Sequence, residues 1–324
     1  MNHQMIQDAA ARLSGHIRRT PLLSSPFLDQ IAGKRLLIKA ECLQHTGSFK
    51  IRGAWSAISA LPPAQRAKGV IAYSSGNHAQ GIALAARKHD TSAVIIMPAD
   101  APQLKIANTK ALGAEVVLYD RHAQDRDQIG AQLADQRGLT LIKPFDDPQV
   151  IAGQGTVGLE IAAQAHDLGI RQAAVLVPCG GGGLTSGIAL ALAEQAPDMS
   201  VHPVEPEGCD DVARSLKSGQ IETNAPSARS ICDAIVTPSP GQLTFEHMKR
   251  LCKAGLVVSD QDALHAMAAA FQRLKIVLEP GGAVALAAAL FHGERIEADT
   301  LICVASGGNV DADMFTRALE GYAS

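Results

Sequence analysis

Aromatic residues are scarce in this chain: one Trp, three Tyr and seven Phe among 324 residues. Its core therefore has to be assembled from Ala, Val, Leu and Ile, which suits helices packed on a parallel sheet. Neither sign of charge is in excess. The formal net charge is −3, which gives no basis for nucleic acid or an anionic membrane as partner. No apolar run reaches the ~18 residues of a membrane span. The stretch Met1–Thr20 lacks an apolar segment of signal-peptide length. The six cysteines show no CxxC spacing, so reduced thiols in a cytoplasmic protein are expected, not a disulfide frame or a zinc site. No Walker GK[ST] is present either.

What is present is an alternation of short Val/Ile/Leu runs with Ala-rich helical stretches. Strands are predicted at 36–40, 69–73, 93–97, 115–118, 139–142, 173–177, 201–204, 256–258 and 301–304. Continuous apolar content in such short runs means burial on both faces, hence parallel sheets covered by helices and an α/β fold. No repeat or Gly/Ser-rich linker marks a domain boundary.

Four segments carry candidate chemistry, each at the end of a predicted strand. In HTGSFKIRGA, a small-residue turn delivers Lys50 near a helix start. There the helix dipole favours anions and depresses an ammonium pKa, as an amine nucleophile requires; a solvated surface lysine is the plain alternative. SSGNHAQG (Ser74 to Gly81) is either a turn with an N-cap or a ligand loop rich in donors. VLVPCGGGGLTSG places Gly180, Gly181, Gly182 and Gly183 between strand and helix. Backbone that must approach a phosphate closely calls for such a loop. ICVASGGNVD ends a strand at Ser306.

Together, and in this order, these segments resemble the fold-type II pyridoxal-phosphate enzymes, the tryptophan synthase β-like group. The resemblance points to threonine/serine dehydratases, serine racemases and 3-hydroxyaspartate dehydratases. It runs from IRRTPLL (Ile17) to Asp311 and includes Ile151–Thr156 and Glu279–Pro280. It implies two parallel-sheet domains with the cofactor between them: a large domain of residues 1–68 and 147–324, and a small inserted one of 69–146. It implies that Lys50 carries pyridoxal 5′-phosphate as a Schiff base with Phe49 against the ring. Asn77 would bond the 3′-hydroxyl, Gly180 to Gly183 with Leu184 the phosphate, and Ser306 the ring nitrogen. Ser74, Ser75, Gly76 and His78 would receive the substrate carboxylate. Ser75 would also stand opposite Lys50, where racemases return a proton.

The activity implied is β-elimination of water from L-threonine, L-serine or 3-hydroxyaspartate, giving a 2-oxo acid and ammonia. Amino-acid racemisation is the runner-up, and Ser230–Phe245 also resembles dehydratases of hydroxyectoine degradation. The chain ends soon after SGGN. A catabolic or metal-activated enzyme is therefore expected, without the regulatory domain of biosynthetic threonine dehydratases. In VEPEGCDD, Glu205, Cys209 and Asp211 match positions that bind Mg²⁺, Ca²⁺ or Mn²⁺ through two carboxylates and the Cys209 carbonyl; an acidic helix start is the alternative. Arg126 matches an arginine that reaches a substrate's second carboxylate, or is a solvated helix charge. A homodimer is implied as well.

Overall fold

The computed structural model describes residues 1–101, 103–120 and 123–321. Its strands are β1 (Leu22–Ser24), β2 (Arg35–Lys39), β3 (Val70–Tyr73), β4 (Ala93–Pro98), β5 (Glu115–Tyr119), β6 (Thr140–Leu141), β7 (Ala173–Pro178), β8 (Met199–Pro206), β9 (Leu256–Val258) and β10 (Thr300–Val304). They form two sheets, ordered β1-β2-β10-β7-β8-β9 and β5-β4-β3-β6. Every pair in the four-stranded sheet is parallel. In the six-stranded sheet only β1, which pairs with β2 through Leu22↔Lys39, runs antiparallel. That edge strand is absent from the sequence expectation. Three residues of mixed burial carry no periodic signal.

The strand β7 is buried along its whole length and β4 and β10 along most of theirs, and the Ala-rich helices lie close on them. The helix Pro280–Phe291 is buried from Pro280 to Leu290. Where the helices Lys50–Ala60, Pro148–Asp167 and Gly183–Gln195 cross, glycine permits near-contact of backbones. A Cβ on Gly153 would sit 2.4 Å from the Arg52 carbonyl oxygen, and one on Gly187 2.6 Å from that of Ile151.

Beneath the Lys50 helix lies a buried ionic cluster. Arg52 donates from Nε and Nη2 to the two Glu41 oxygens, each at 2.8 Å, and from Nη1 to Glu160 Oε1 at 2.7 Å. Lys39 donates to Glu160 Oε2 at 2.6 Å, and Thr20 to Glu41 at 2.5 Å. Arg52, Lys39 and Glu41 are at most 1% exposed. Two cations face two carboxylates, so the formal charges of the set cancel. Burial opposes the Arg52 charge, but Glu41 and Glu160 outweigh it and raise its pKa. At Lys39 burial prevails over the same two glutamates and lowers the pKa.

Candidate active site

Between the two sheets lies a cavity of about 730 Å³. Its wall takes Phe49 and Lys50 from the start of the Lys50 helix, and Ser74, Ser75, Gly76, Asn77 and His78 from the end of β3. Gly180, Gly181, Gly182, Gly183 and Leu184 come from the end of β7, Ser306 from the end of β10, and Arg126 from the head of the helix Arg126–Arg137. Four segments that read as separate strand-end turns thus face one space, at the carboxyl ends of parallel strands.

Lys50 Nζ donates to the carbonyl of Pro144 at 3.1 Å and lies 5.2 Å from the Phe49 ring centroid. Enclosure in protein pushes its pKa down to about 8, opposed by the carboxylate of Glu279. His78 sits nearby. Burial, then the Lys50 charge, pushes its pKa down to about 3. The neutral ring donates from Nε2 to the Ile142 carbonyl at 3.1 Å, and its buried Nδ1 has no partner among the described residues.

The glycine loop is held from behind. Thr244 Oγ1 donates to the Gly181 carbonyl at 2.6 Å, and Ser186 Oγ to that of Gly182 at 2.7 Å. Gly182 has φ +91°, and a Cβ there would stand 2.5 Å from Met248 Cε. One on Gly181 would meet the Phe145 ring at 2.4 Å. With these carbonyls tied to protein, the open N–H groups at the head of the helix Gly183–Gln195 are available to an anion.

Glu279 belongs to a matched motif, yet the sequence assigns it no role. It is 5% exposed and accepts from Asn77 Nδ2 at 2.6 Å. Asn309 Nδ2 in turn donates to Asn77 Oδ1 at 2.7 Å and to the Thr46 carbonyl at 2.7 Å. This chain of amides fixes Asn77 while leaving one Nδ2 hydrogen unused. Burial lifts Glu279 to about 7, against the Asn77 hydrogen bond.

Residues 142–146 are likewise given no site role by the sequence. Ile142 and Pro144 supply the carbonyls for His78 and Lys50, and Phe145 packs on the glycine loop. Asp146 Oδ1 accepts from the N–H groups of Leu243 and Thr244, at 2.9 and 3.2 Å. Backbone carbonyls leave no mark in a sequence. At the cavity wall Lys105 pairs with Asp233 at 3.3 Å, joining the segment between β4 and β5 to the loop before the helix Gln242–Leu251.

Glu205, Cys209 and Asp211 lie outside this wall. Glu205 is fully buried and accepts from Val212 N–H at 2.9 Å and Ala213 N–H at 2.7 Å, capping the helix Asp211–Ser218. Asp211 Oδ1 accepts from Asn224 at 2.5 Å, while its buried Oδ2 has no partner among the described residues. Burial and then Asp211 raise the Glu205 pKa well above the usual range; burial raises Asp211 to about 6 against the Asn224 bond. Among the described residues no three His, Cys, Asp or Glu side chains surround one point, and this set offers only two carboxylates plus a carbonyl.

Known proteins share this architecture over nearly its whole length. Residues 13–307 match the family described as pyridoxal-phosphate dependent enzyme. The chain is 43% identical to an L-threo-3-hydroxyaspartate ammonia-lyase of Pseudomonas sp, over 98% of each chain. It is 38% identical to a serine racemase of Schizosaccharomyces pombe, over 97% of this chain and 96% of that one. A crystal structure of a T.th. threonine deaminase superposes with a TM-score of 0.90 at 46% identity, covering 96% of this chain and 99% of that one. Two parallel-stranded sheets, a lysine between them and matches of this extent have one reading: the chain belongs to the pyridoxal-phosphate dependent enzymes of fold type II.

Proposed function

We propose that the protein eliminates water from a 3-hydroxy amino acid, L-threonine, L-serine or 3-hydroxyaspartate, releasing a 2-oxo acid and ammonia. The observation that carries this reading is the convergence of all four strand-end segments on one cavity, with Lys50 in its wall.

The wall suits pyridoxal phosphate at each of its polar groups. Lys50 offers an amine near its neutral form to the aldehyde, and the Gly180–Leu184 backbone offers N–H groups to the phosphate. Asn77 has a spare hydrogen for the 3′-hydroxyl, and Ser306 an uncharged hydroxyl for the ring nitrogen. When bound, this cofactor supplies an electron sink for the pair left at Cα. The protein does the rest. The N–H groups at the start of the Asn77 helix hold the substrate carboxylate, and Lys50 Nζ takes the Cα proton. Ser75, in the same wall, is a second proton site and supports racemisation as the alternative activity. Ammonia release from L- and D-serine, L-threonine and both 3-hydroxyaspartate diastereomers, beside chiral analysis of unreacted substrate, separates the two. Ammonia from none of them would end the elimination reading.

The lysine pKa gives a pH dependence. Attachment needs the unprotonated amine, so the rate at which apoprotein gains visible absorbance with added cofactor is expected to climb with pH and level off above about 8. A rate flat from pH 6 to 9 would contradict this.

Residues 1–68 and 147–324 are read as the large domain and 69–146 as a small one inserted into it. In support, all four strands of the smaller sheet lie between Val70 and Leu141. For the metal site, the unpartnered buried Oδ2 of Asp211 beside buried Glu205 suits a hard cation, Mg²⁺, Ca²⁺ or Mn²⁺, completed by the Cys209 carbonyl and water. Its part is structural or activating, away from the cavity. Mg²⁺ is expected to raise the melting temperature with mass-action dependence on its concentration, and Asp211→Asn to abolish that rise. An equal rise in the variant counts against the site.

A homodimer is proposed from the family resemblance; the exposed aromatic rings Phe27 (55% exposed) and Phe271 (40%) are candidates for its interface. Cytoplasmic residence is supported by six free thiols. Among the described residues no helix is long and apolar enough to cross a membrane.

A further inference from the structure

We infer that Lys143 is a specificity-determining residue, forming with Arg126 a cationic flank of the cavity that selects substrates bearing a second carboxylate on Cβ. The inference rests on the elimination reading above and deepens it.

The charges of the cavity wall lead to it. Lys105 is matched by Asp233 at 3.3 Å. Asp146 is occupied by the N–H groups of Leu243 and Thr244, and Glu279 by Asn77. Lys50 rests on the Pro144 carbonyl. Two cations remain, Arg126 and Lys143. Both line the cavity, both are exposed, and neither makes an ion pair or side-chain hydrogen bond among the described residues.

Their positions argue for a ligand. Arg126 opens the helix Arg126–Arg137, where the dipole disfavours a cation, so helix stability does not account for it. Lys143 directly precedes Pro144, whose carbonyl touches the reacting nitrogen. Its side chain therefore starts one residue from the place where the substrate must sit. The α-carboxylate and the cofactor phosphate are already served by backbone N–H groups at two helix starts. An anion carried on the substrate side chain is what these two cations leave room for. A carboxylate at Cβ is the smallest such group compatible with a 3-hydroxy amino acid.

The test uses holoenzyme, wild type against Lys143→Gln and Lys143→Arg. The ratio of kcat/KM for L-threo-3-hydroxyaspartate to that for L-serine is expected to fall roughly 10- to 100-fold in the glutamine variant, the worth of one charge-assisted hydrogen bond. The arginine variant should recover most of it. A ratio within twofold of wild type in Lys143→Gln overturns the inference.

A binding readout keeps it separate from the elimination reading. 2-Methylaspartate and 2-methylserine lack the Cα proton and cannot be eliminated. Their dissociation constants follow from the absorbance change of the bound cofactor, and their ratio should shift by a similar factor. Ammonia from no substrate with a shifted binding ratio refutes elimination and retains Lys143 as the selector. An unshifted binding ratio refutes the selector.

Discussion

Lys50→Ala is expected to abolish ammonia release, by at least about 10²–10⁴-fold, while the protein melts no lower than wild type. The loss follows from the two duties proposed for one nitrogen: to anchor the cofactor and to move the Cα proton. The melting behaviour follows from the environment of the same nitrogen. Its folded pKa, about 8, lies below the ordinary lysine value of 10.5, so folding disfavours the charged form. Below pH 8 the group is charged in both states and the full cost is present; the cost fades as pH rises toward 10.5. The variant, freed of it, should gain stability relative to wild-type apoprotein most clearly below pH 8, and the gain should shrink above that pH. Ammonia assays and thermal melts of apoprotein across that range check both halves. Residual turnover close to wild type would remove Lys50 from the chemistry.

Arg52→Ala is expected to destabilise the fold by about 3–5 kcal/mol, because the change strands a buried carboxylate. Glu41 would be left with the Thr20 hydroxyl, and Glu160 with Lys39 alone. A melting temperature lower by on the order of 10 °C is the observable. Arg52 is in the first turn of the helix that begins at Lys50, so cofactor retention should fall as well. Removing both charges with Arg52→Met and Glu41→Gln should recover part of the loss. A single variant that melts like wild type would mean that the cluster contributes nothing.

The parallel sheets are legible in the sequence because β7 and β4 are runs of apolar residues buried on both faces. The strand expected at 139–142 shortens to Thr140 and Leu141 in register with β3, while Ile142 keeps its N–H on the Ile71 carbonyl and turns its own carbonyl to His78. The glycine loop and Lys50 are legible because glycine runs and lysines at helix starts have local causes. The ionic cluster is not. Its members stand at 20, 39, 41, 52 and 160, and each reads alone as an ordinary polar residue. Glu279 is hidden for a related reason: its partner Asn77 lies 202 residues away in the chain. Arg126 lines the cavity and is singled out in the sequence by the resemblance, whereas Lys143 has no motif around it.

Main-chain oxygen atoms at 142 and 144 hold the His78 ring and the Lys50 amine respectively. Mutation replaces side chains and leaves such atoms where they are. Position 143, between them, can therefore change its chemistry over generations without loosening the grip on either neighbour. Descendants of this scaffold could exchange one nutrient for another by a single codon at that place, keeping the anchor intact.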